Sequence, residues 1–216
     1  MVLEKCYSLN LETIEIGVDE VGRGPMFGRV YAAAVILPKD DNFKYELMKD
    51  SKKFTSKKKI IDVASYIKDN CISYGIGYEE HTIIDKINIK NAAHNAMEKA
   101  IKKIINYDDN NSLILVDGSN FKLITYMDND NGIIKEIPTV CIEGGDNKYC
   151  SIAAASILAK VERDKYIEEL CIENPDLIEK YDLLKNKGYG TKKHLAGIQQ
   201  YGITQWHRQT FGICKN

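Results

Sequence analysis

The sequence lacks the features that would place it in a membrane or outside the cell. Its six cysteines include no C-x-x-C pair, so a zinc site is not expected. The N-terminal residues hold no basic segment followed by an apolar run, so no secretory signal is expected. Scattered cysteines then favour reduced thiols in an intracellular, cytoplasmic protein. Every apolar run is far shorter than the ~20 residues that cross a bilayer.

The chain also has little net charge, a formal −1 over 216 residues. No overall field therefore attracts nucleic acid, and any such binding must come from local clusters. Residues 49–59 carry six lysines and one acid, and residues 183–194 carry four lysines and no acid. A lysine run is usually a solvated surface. The second cluster, however, places Tyr189 between two glycines, and cations beside an exposed ring suit a sugar–phosphate ligand.

The segment around residues 17–25, GVDEVGRGP, is the most informative stretch. Apolar alternation predicts a strand over residues 14–19 that runs into a glycine-rich turn. Successive side chains of a regular strand point to opposite faces. We therefore predict that the strand ends at Asp19 and that the turn brings Glu20 round to the same side. Such a pair suits a hard cation such as Mg²⁺, although a solvated acid pair is the alternative.

Two further acids follow predicted strands or begin a predicted helix. Asp117 ends the apolar strand 112–117, and Asp146 follows two glycines before the apolar helix 149–170. Ligands of α/β sheets gather where strands end. The alternatives are a turn-starting Asp and an acid that stabilises a helix N-terminus. Because neither a nucleophile elbow nor a P-loop is present, we predict two divalent ions held by carboxylates, with Asp19 shared, that activate water against a phosphodiester.

The remaining pattern predicts an α/β chain. The predicted elements are a second strand, 30–37, antiparallel to the first; a third strand, 71–78; a helix from Thr55 to about residue 69; a helix capped by Asn88; a hairpin of strands 121–127 and 133–142 closed by Asn131-Gly132; and a helix from Thr191 to about residue 201. His94 lies off the apolar stripe of its helix and is interpreted as a surface histidine. Residues 206–208 (WHR) are interpreted as packing.

Several of these motifs, taken together, resemble type 2 ribonuclease H (ribonuclease HII). They are GVDEVGRGPMFG, DSKKFTSKKK, VDG, GGDNKYCSIAAASILAKVERD, NKGYGTKKH and WHRQTFG, which occur in the same order between about residues 14 and 212. The resemblance implies a ribonuclease H-like fold with a five-stranded mixed sheet flanked by helices. It also implies a catalytic domain over residues 1–174 and a small helical C-terminal extension over residues 175–216.

The resemblance further implies an endonuclease that needs two Mg²⁺ or Mn²⁺ ions. Such an enzyme cuts the RNA strand of RNA–DNA hybrids and incises 5′ of ribonucleotides in duplex DNA, leaving 3′-hydroxyl and 5′-phosphate ends. The length favours a stand-alone monomer. The residues that match the family's catalytic and metal-binding acids are Asp19, Glu20, Asp117 and Asp146. Asp164 is the alternative fourth acid, and Asp146 is preferred because it follows Gly-Gly.

The family's substrate contacts also have matching positions in this chain. Gly22, Arg23 and Gly24 resemble its sensor for the ribonucleotide's 2′-hydroxyl, Tyr189 its sugar-stacking tyrosine, and Lys52 and Lys53 its phosphate contacts. Arg29 stands where the family commonly has proline, so a less rigid turn is expected there. Two rivals remain: a catalytically dead nucleic-acid-binding module, and a different two-metal nuclease on the same fold.

Overall fold

A computed structural model describes residues 3–105, 111–127 and 132–215 of the chain. Its central sheet has five strands in the order β3-β2-β1-β4-β7. These strands are β1 Ile14–Val21, β2 Val30–Ile36, β3 Ser73–Glu79, β4 Ser112–Asp117 and β7 Thr139–Ile142. A separate pair of strands, β5 Thr125–Met127 and β6 Ile134–Glu136, is antiparallel. The described helices are α1 Lys57–Asn70, α2 His81–Ile101, α3 Cys150–Glu173, α4 Asp176–Glu179, α5 Leu183–Asn186 and α6 Lys192–Tyr201.

The sheet is mixed, and its parallel half positions the candidate site. β1 pairs with β2 and β2 with β3 in antiparallel fashion, as predicted for the first pair. β1, β4 and β7 are parallel to one another. The C-terminal ends of these three strands therefore meet at one edge of the sheet.

Helices cover both faces of the sheet, which explains why β2 is buried along its whole length. Helix α2 packs on the face formed by Ile16, Val18 and Ala32. Helices α1 and α3 pack on the other face, against Ala33 and Val35. The helix α3 approaches β1 so closely that a Cβ atom on Gly17 would lie 2.2 Å from the carbonyl carbon of Ser151. Only glycine fits such an approach.

The C-terminal segment packs against the glycine-rich turn and the second half of α3. Their shared cluster includes Phe27, Tyr166, Leu177, Tyr181 and Ile198. The division of the chain at residue 174 stays a prediction. Among the residues that the structure describes, no helix has the length and apolar character needed to cross a bilayer.

Several predicted boundaries needed correction. Helix α1 begins one residue later than predicted, because Ser56 and not Thr55 accepts the backbone N–H of Lys59. The predicted strand 133–142 is two strands, β6 and β7, separated by Ile137-Pro138. The pairing of β5 with β6 confirms a hairpin. The predicted turn at Asn131-Gly132 falls partly on residues 128–131, which lie outside the described residues.

Helix α2 differs in another way from the prediction. It begins at His81 and not at Asn88, but Asn88 has φ of 65° and interrupts it with a kink. The Asn88 side chain accepts the backbone N–H of Asn91 at 3.1 Å. Asn88 therefore caps the second half of the helix, as the sequence indicates.

Candidate active site at the C-terminal ends of the parallel strands

The first acid pair does not adopt the predicted arrangement. Strand β1 continues to Val21 in regular register, with Asp19 opposite Ala33 and Glu20 opposite Ala32. The predicted end of the strand at Asp19 is therefore wrong, because the pairing with β2 holds the backbone extended for two more residues. Asp19 consequently lies on the α3 face and Glu20 on the α2 face, so both flank the end of the sheet rather than sharing one side.

Asp19 is the most buried of the four candidate acids, with 4% of its surface exposed. Burial, followed by the charges of Glu20 and Asp117, raises its pKa well above the ordinary value. The backbone N–H of Glu20 donates to its Oδ1 at 2.7 Å. A hydrogen bond from Ser156 acts in the opposite direction and lowers the pKa. A carboxylate so placed is costly unless a cation uses its charge.

Glu20 and Asp117 are held by different partners. Burial raises the pKa of Glu20, while the neighbouring Arg23 guanidinium lowers it and the charge of Asp117 raises it, with a net rise. Arg23 Nη1 lies 3.2 Å from Glu20 Oε1. Asp117 stands at the end of β4, and its Oδ1 accepts the backbone N–H of Gly145 at 2.7 Å. That bond joins the end of β4 to the turn that follows β7.

Asp146 lies in a one-turn 3₁₀ helix, Gly145–Asn147, directly after that turn. Burial, then the charges of Asp117 and Asp50, raises its pKa. Asp50 was missed by the sequence reasoning, although it opens the DSKK motif. It is buried, and its carboxylate accepts the backbone N–H of Lys52 at 2.9 Å. Asp164, the alternative fourth acid, pairs instead with Lys160 on the preceding turn of α3.

The four acids thus lie close enough to influence one another, but they do not form a finished coordination sphere. Among residues 3–105, 111–127 and 132–215, no three His, Cys, Asp or Glu side chains form a group that could hold a metal ion. Glu20, Asp117 and Asp146 each bond instead to a neighbouring side chain or N–H group. The donor set nevertheless fits a hard divalent cation, because it consists of carboxylates whose mutual repulsion such an ion would relieve.

The lysines of the first cluster approach the acids from the α3 side. Burial alone would lower the pKa of Lys52, but Asp50, Asp146, Asp19 and Asp117, in that order, raise it overall. The ammonium of Lys53 donates to the side-chain oxygen of Asn147. Both lysines therefore stand at the rim of the acid cluster, where a phosphate bound beside the acids would meet them.

The predicted 2′-hydroxyl sensor and the stacking tyrosine are brought together. A Cβ atom on Gly24 would lie 3.4 Å from Cε1 of Tyr189, so the tyrosine ring borders the Gly22-Arg23-Gly24 turn. Tyr189 is 47% exposed and therefore available to a ligand. Gly22 has φ of +92°, and its missing side chain leaves room for Arg163, whose Nε would lie 2.3 Å from a Cβ there.

Arg208 fixes the shape of this turn, a role that the sequence reasoning assigned only to packing. Its guanidinium is fully buried and has no carboxylate partner in the described part of the chain. It donates instead to five backbone oxygens at 2.7–3.1 Å, those of Gly22, Arg23, Pro25, Gly28 and Arg29. Burial, followed by the charge of Arg163, lowers its pKa to about 9, so it remains charged at neutral pH.

Two buried histidines form a hydrogen-bonded chain that ends at the backbone oxygen of Tyr189. His194 Nδ1 lies 3.0 Å from the backbone oxygen of Tyr189, and the Nε2 atoms of His194 and His207 are 3.1 Å apart. The backbone N–H of Thr204 donates to His207 Nδ1 at 2.9 Å. His207 Nε2 therefore carries the proton and donates to His194 Nε2, and His194 Nδ1–H donates to Tyr189. Both rings are neutral in this arrangement.

His94 does not behave as the free surface histidine that its position suggested. It is partly buried and lines a cavity of about 160 Å³ together with Glu20, Arg23 and Asp117. The helical spacing of Lys90, Ala93, His94 and Met97 gave a signal for this shared face, but only the structure shows that the face is turned to the strand ends.

Comparison with known proteins agrees with the motifs. The family model of ribonuclease HII matches residues 16–214. A ribonuclease HII of Bacteroides fragilis is 44% identical over 205 residues, which cover 95% of this chain and 92% of that protein. The crystal structure of ribonuclease H2 from Pyrococcus horikoshii superposes with a TM-score of 0.71 and 22% identity, covering 93% of this chain and 95% of that one. Bst-RNase HIII in complex with Mn²⁺ gives a TM-score of 0.59 at 15% identity, with 88% and 70% covered.

Proposed function

The chain belongs to the ribonuclease HII family and is a metal-dependent ribonuclease H, and from this premise we propose that it cuts RNA–DNA hybrids and incises duplex DNA on the 5′ side of single ribonucleotides. The products carry 3′-hydroxyl and 5′-phosphate ends. The proposal rests on the position of the acids next to the glycine turn and Tyr189. Acids at the ends of parallel strands lie beside a glycine turn, held by Arg208, against which the exposed ring of Tyr189 rests.

Asp19, Glu20, Asp117 and Asp146 are the residues that would hold two Mg²⁺ or Mn²⁺ ions. When bound, such ions activate water and neutralise charge on the phosphodiester. The protein's part is to present these carboxylates close together, and burial and mutual repulsion raise the pKa values of Asp19, Glu20 and Asp146. Asp19 is central to this set, since its pKa responds to both Glu20 and Asp117.

Discrimination between RNA and DNA falls to the Gly22-Arg23-Gly24 turn. A 2′-hydroxyl both donates and accepts hydrogen bonds, and a rigid backbone can recognise it. Arg208 engages the carbonyl oxygens of Gly22 and Arg23, which leaves the N–H groups on the outer side of the turn for a ligand. The ring of Tyr189 then stacks on the sugar that follows, and Lys52 and Lys53 contact phosphates of the same strand.

The proposal is tested with an end-labelled DNA duplex that contains one ribonucleotide, beside an all-DNA duplex, in Mg²⁺ and then in Mn²⁺. We expect one cut on the 5′ side of the ribonucleotide and none in the control. Cutting of the all-DNA duplex would instead support a general two-metal nuclease. Binding without cutting under both metals would support the binding-module alternative.

A pair of matched variants tests the site itself. Asp117→Asn keeps the size of the side chain but removes the charge, so we expect cleavage to be lost while duplex binding persists. Asp164→Asn is the control, because Asp164 pairs with Lys160 and does not line the cavity shared by Glu20 and Asp117, and it should cleave like the wild type. Persistent cleavage by Asp117→Asn would refute the assignment of the acids.

Two further expectations accompany the proposed activity. The protein acts as a monomer, which size-exclusion chromatography with light scattering tests, and it works inside the cell. The second rests on the cysteine pattern alone.

A further inference from the structure

The second half of helix α2 turns one of its faces toward the ends of the strands. Lys90, Ala93, His94 and Met97, spaced as i, i+3, i+4 and i+7, line the cavity of about 160 Å³ that the helix shares with Asp117. The opposite wall is formed by Glu20, Arg23 and the turn Gly118–Ser119–Asn120 that follows β4. The cavity is thus an extension of the acid cluster on the α2 face of the sheet, away from Lys52 and Lys53.

The cavity has two cations in its lining, Lys90 on the wall formed by helix α2 and Arg23 on the opposite wall, beside the carboxylates of Glu20 and Asp117. Burial lowers the pKa of His94 and the charge of Lys90 lowers it further; a hydrogen bond with the backbone of Asn120 raises it, and the charges of Lys122 and Arg23 lower it again. An anion that bridges the two walls would therefore meet Lys90 on one side and Arg23, beside the acids, on the other.

Two lysines at the C-terminal end of helix α2 form ion pairs, unlike Lys90 within the described part of the chain. Lys99 pairs with Glu79 at 2.9 Å and Lys102 with Glu98 at 2.6 Å. Lys90 has no such partner among the residues that the structure describes, and it is exposed at the mouth of the cavity. Its ammonium group is therefore available to a ligand.

The kink at Asn88 explains how Lys90 comes to stand there. Asn88 ends the first half of the helix with φ of 65° and caps the second half through Asn91. Lys90 consequently lies in a first helical turn, where a cation is not favoured by the helix dipole. A phosphate would be favoured by both the dipole and the lysine.

We propose that this cavity binds a backbone phosphate of the cleaved strand next to the scissile one, with Lys90 as its ionic contact and His94 and Asn120 as neutral lining. The inference rests on the proposed function and adds a subsite to it. The strand would then pass from Lys52 and Lys53, on the α3 side, across the acids to Lys90 on the α2 side.

The first test is the salt dependence of binding, measured by fluorescence anisotropy with a labelled RNA–DNA hybrid in EDTA. Each phosphate contact contributes about 0.9 to the slope of log affinity against log salt. We expect Lys90→Gln to reduce the slope by about 0.9. Its loss of affinity should then be about 3.5-fold larger at 50 mM than at 200 mM salt. The matched control is Lys103→Gln, two residues beyond the end of α2 and about 20 Å from Lys90 at 1.5 Å per residue, which should keep the wild-type slope.

The second test locates the phosphate. Hybrids carrying one neutral methylphosphonate at a time are bound to the wild type and to Lys90→Gln. We expect one position where neutralisation weakens wild-type binding and leaves the variant unaffected. Identical responses at every position, or an equal loss of slope in Lys103→Gln, would overturn the subsite. If the wild type does not cleave the hybrid at all, the proposed function itself is refuted. Failure of the subsite and failure of the proposed function are therefore distinguishable.

Discussion

The buried histidine pair makes the stability of this protein depend on pH in a predictable way. His207 is 1% exposed, and burial, followed by the charge of His194, lowers its pKa from 6.5 to about 4. Its Nδ1 already accepts the N–H of Thr204, and its Nε2 faces the Nε2 of His194. A proton added at Nδ1 would oppose the N–H of Thr204, and one added to His194 would oppose the Nε2–H of His207.

The sign and the magnitude follow from this pKa. Between pH 6.5 and about 4 the unfolded chain binds a proton at His207 that the folded chain does not, so stability falls as the pH is lowered. The contribution of His207 is fully present above pH 6.5. With a pKa of 6.5 unfolded and about 4 folded, acidification from pH 7.5 to pH 4.5 removes about 2.5 kcal/mol. The titratable side chains that act on the ring are those of His194 and His81.

The comparison variant is His207→Gln, whose side-chain amide can still donate to His194 Nε2 but does not titrate. Urea unfolding of both proteins at pH 7.5 and at pH 4.5 gives two differences in the free energy of unfolding. We expect the wild type to lose about 2 to 3 kcal/mol more than the variant. Carboxylates that titrate in the same range are common to both proteins and cancel. Equal losses would show that His207 is not held neutral by its surroundings.

Three further substitutions test the packing around the site by urea unfolding. Arg208→Lys leaves at least two of the five carbonyl oxygens without a donor, because lysine has three N–H groups; we expect a loss of about 3 kcal/mol or more. Arg29→Gln removes a guanidinium whose carbon lies 4.3 Å from the ring centre of Tyr78, and should lower the free energy of unfolding by about 1–2 kcal/mol. An unchanged free energy of unfolding would mean that Arg29 does not stabilise the turn, which would then be less rigid, as expected from the absence of proline at this position. Gly17→Ala drives a methyl group into the backbone of Ser151, and a cost below about 1 kcal/mol would contradict the close packing of α3.

The ends of the parallel strands were predictable because their signals are local. An apolar run that stops at an acid followed by glycine identifies β4, and its predicted bounds agree with Ser112–Asp117. Helix α6 was equally clear, since Thr191 accepts the N–H of His194 and the helix ends at Tyr201. In both elements the residues that set the boundary are adjacent in sequence.

The position of Glu20 was not predictable in this way. Two acids that serve one site suggested a strand that stops between them, but the register with β2 continues through Val21↔Tyr31. Strand pairing contributes backbone hydrogen bonds that a local turn would lose. Asp19 and Glu20 lie near the end of the sheet. Side chains on opposite faces can there both reach the space beyond the last paired residues, so the two acids can serve one site.

Arg208 and Asp50 show why the supporting residues of a site are harder to read than its ligands. Arg208 contacts residues about 180 positions away in sequence, and nothing in its neighbourhood predicts five backbone acceptors. A buried guanidinium without a carboxylate partner is tolerated only if its N–H groups are hydrogen-bonded to other acceptors. The glycine turn satisfies them because its carbonyl oxygens converge. The turn that is proposed to sense the 2′-hydroxyl and the arginine that fixes it therefore require each other, and substitution of either is expected to disturb both stability and discrimination.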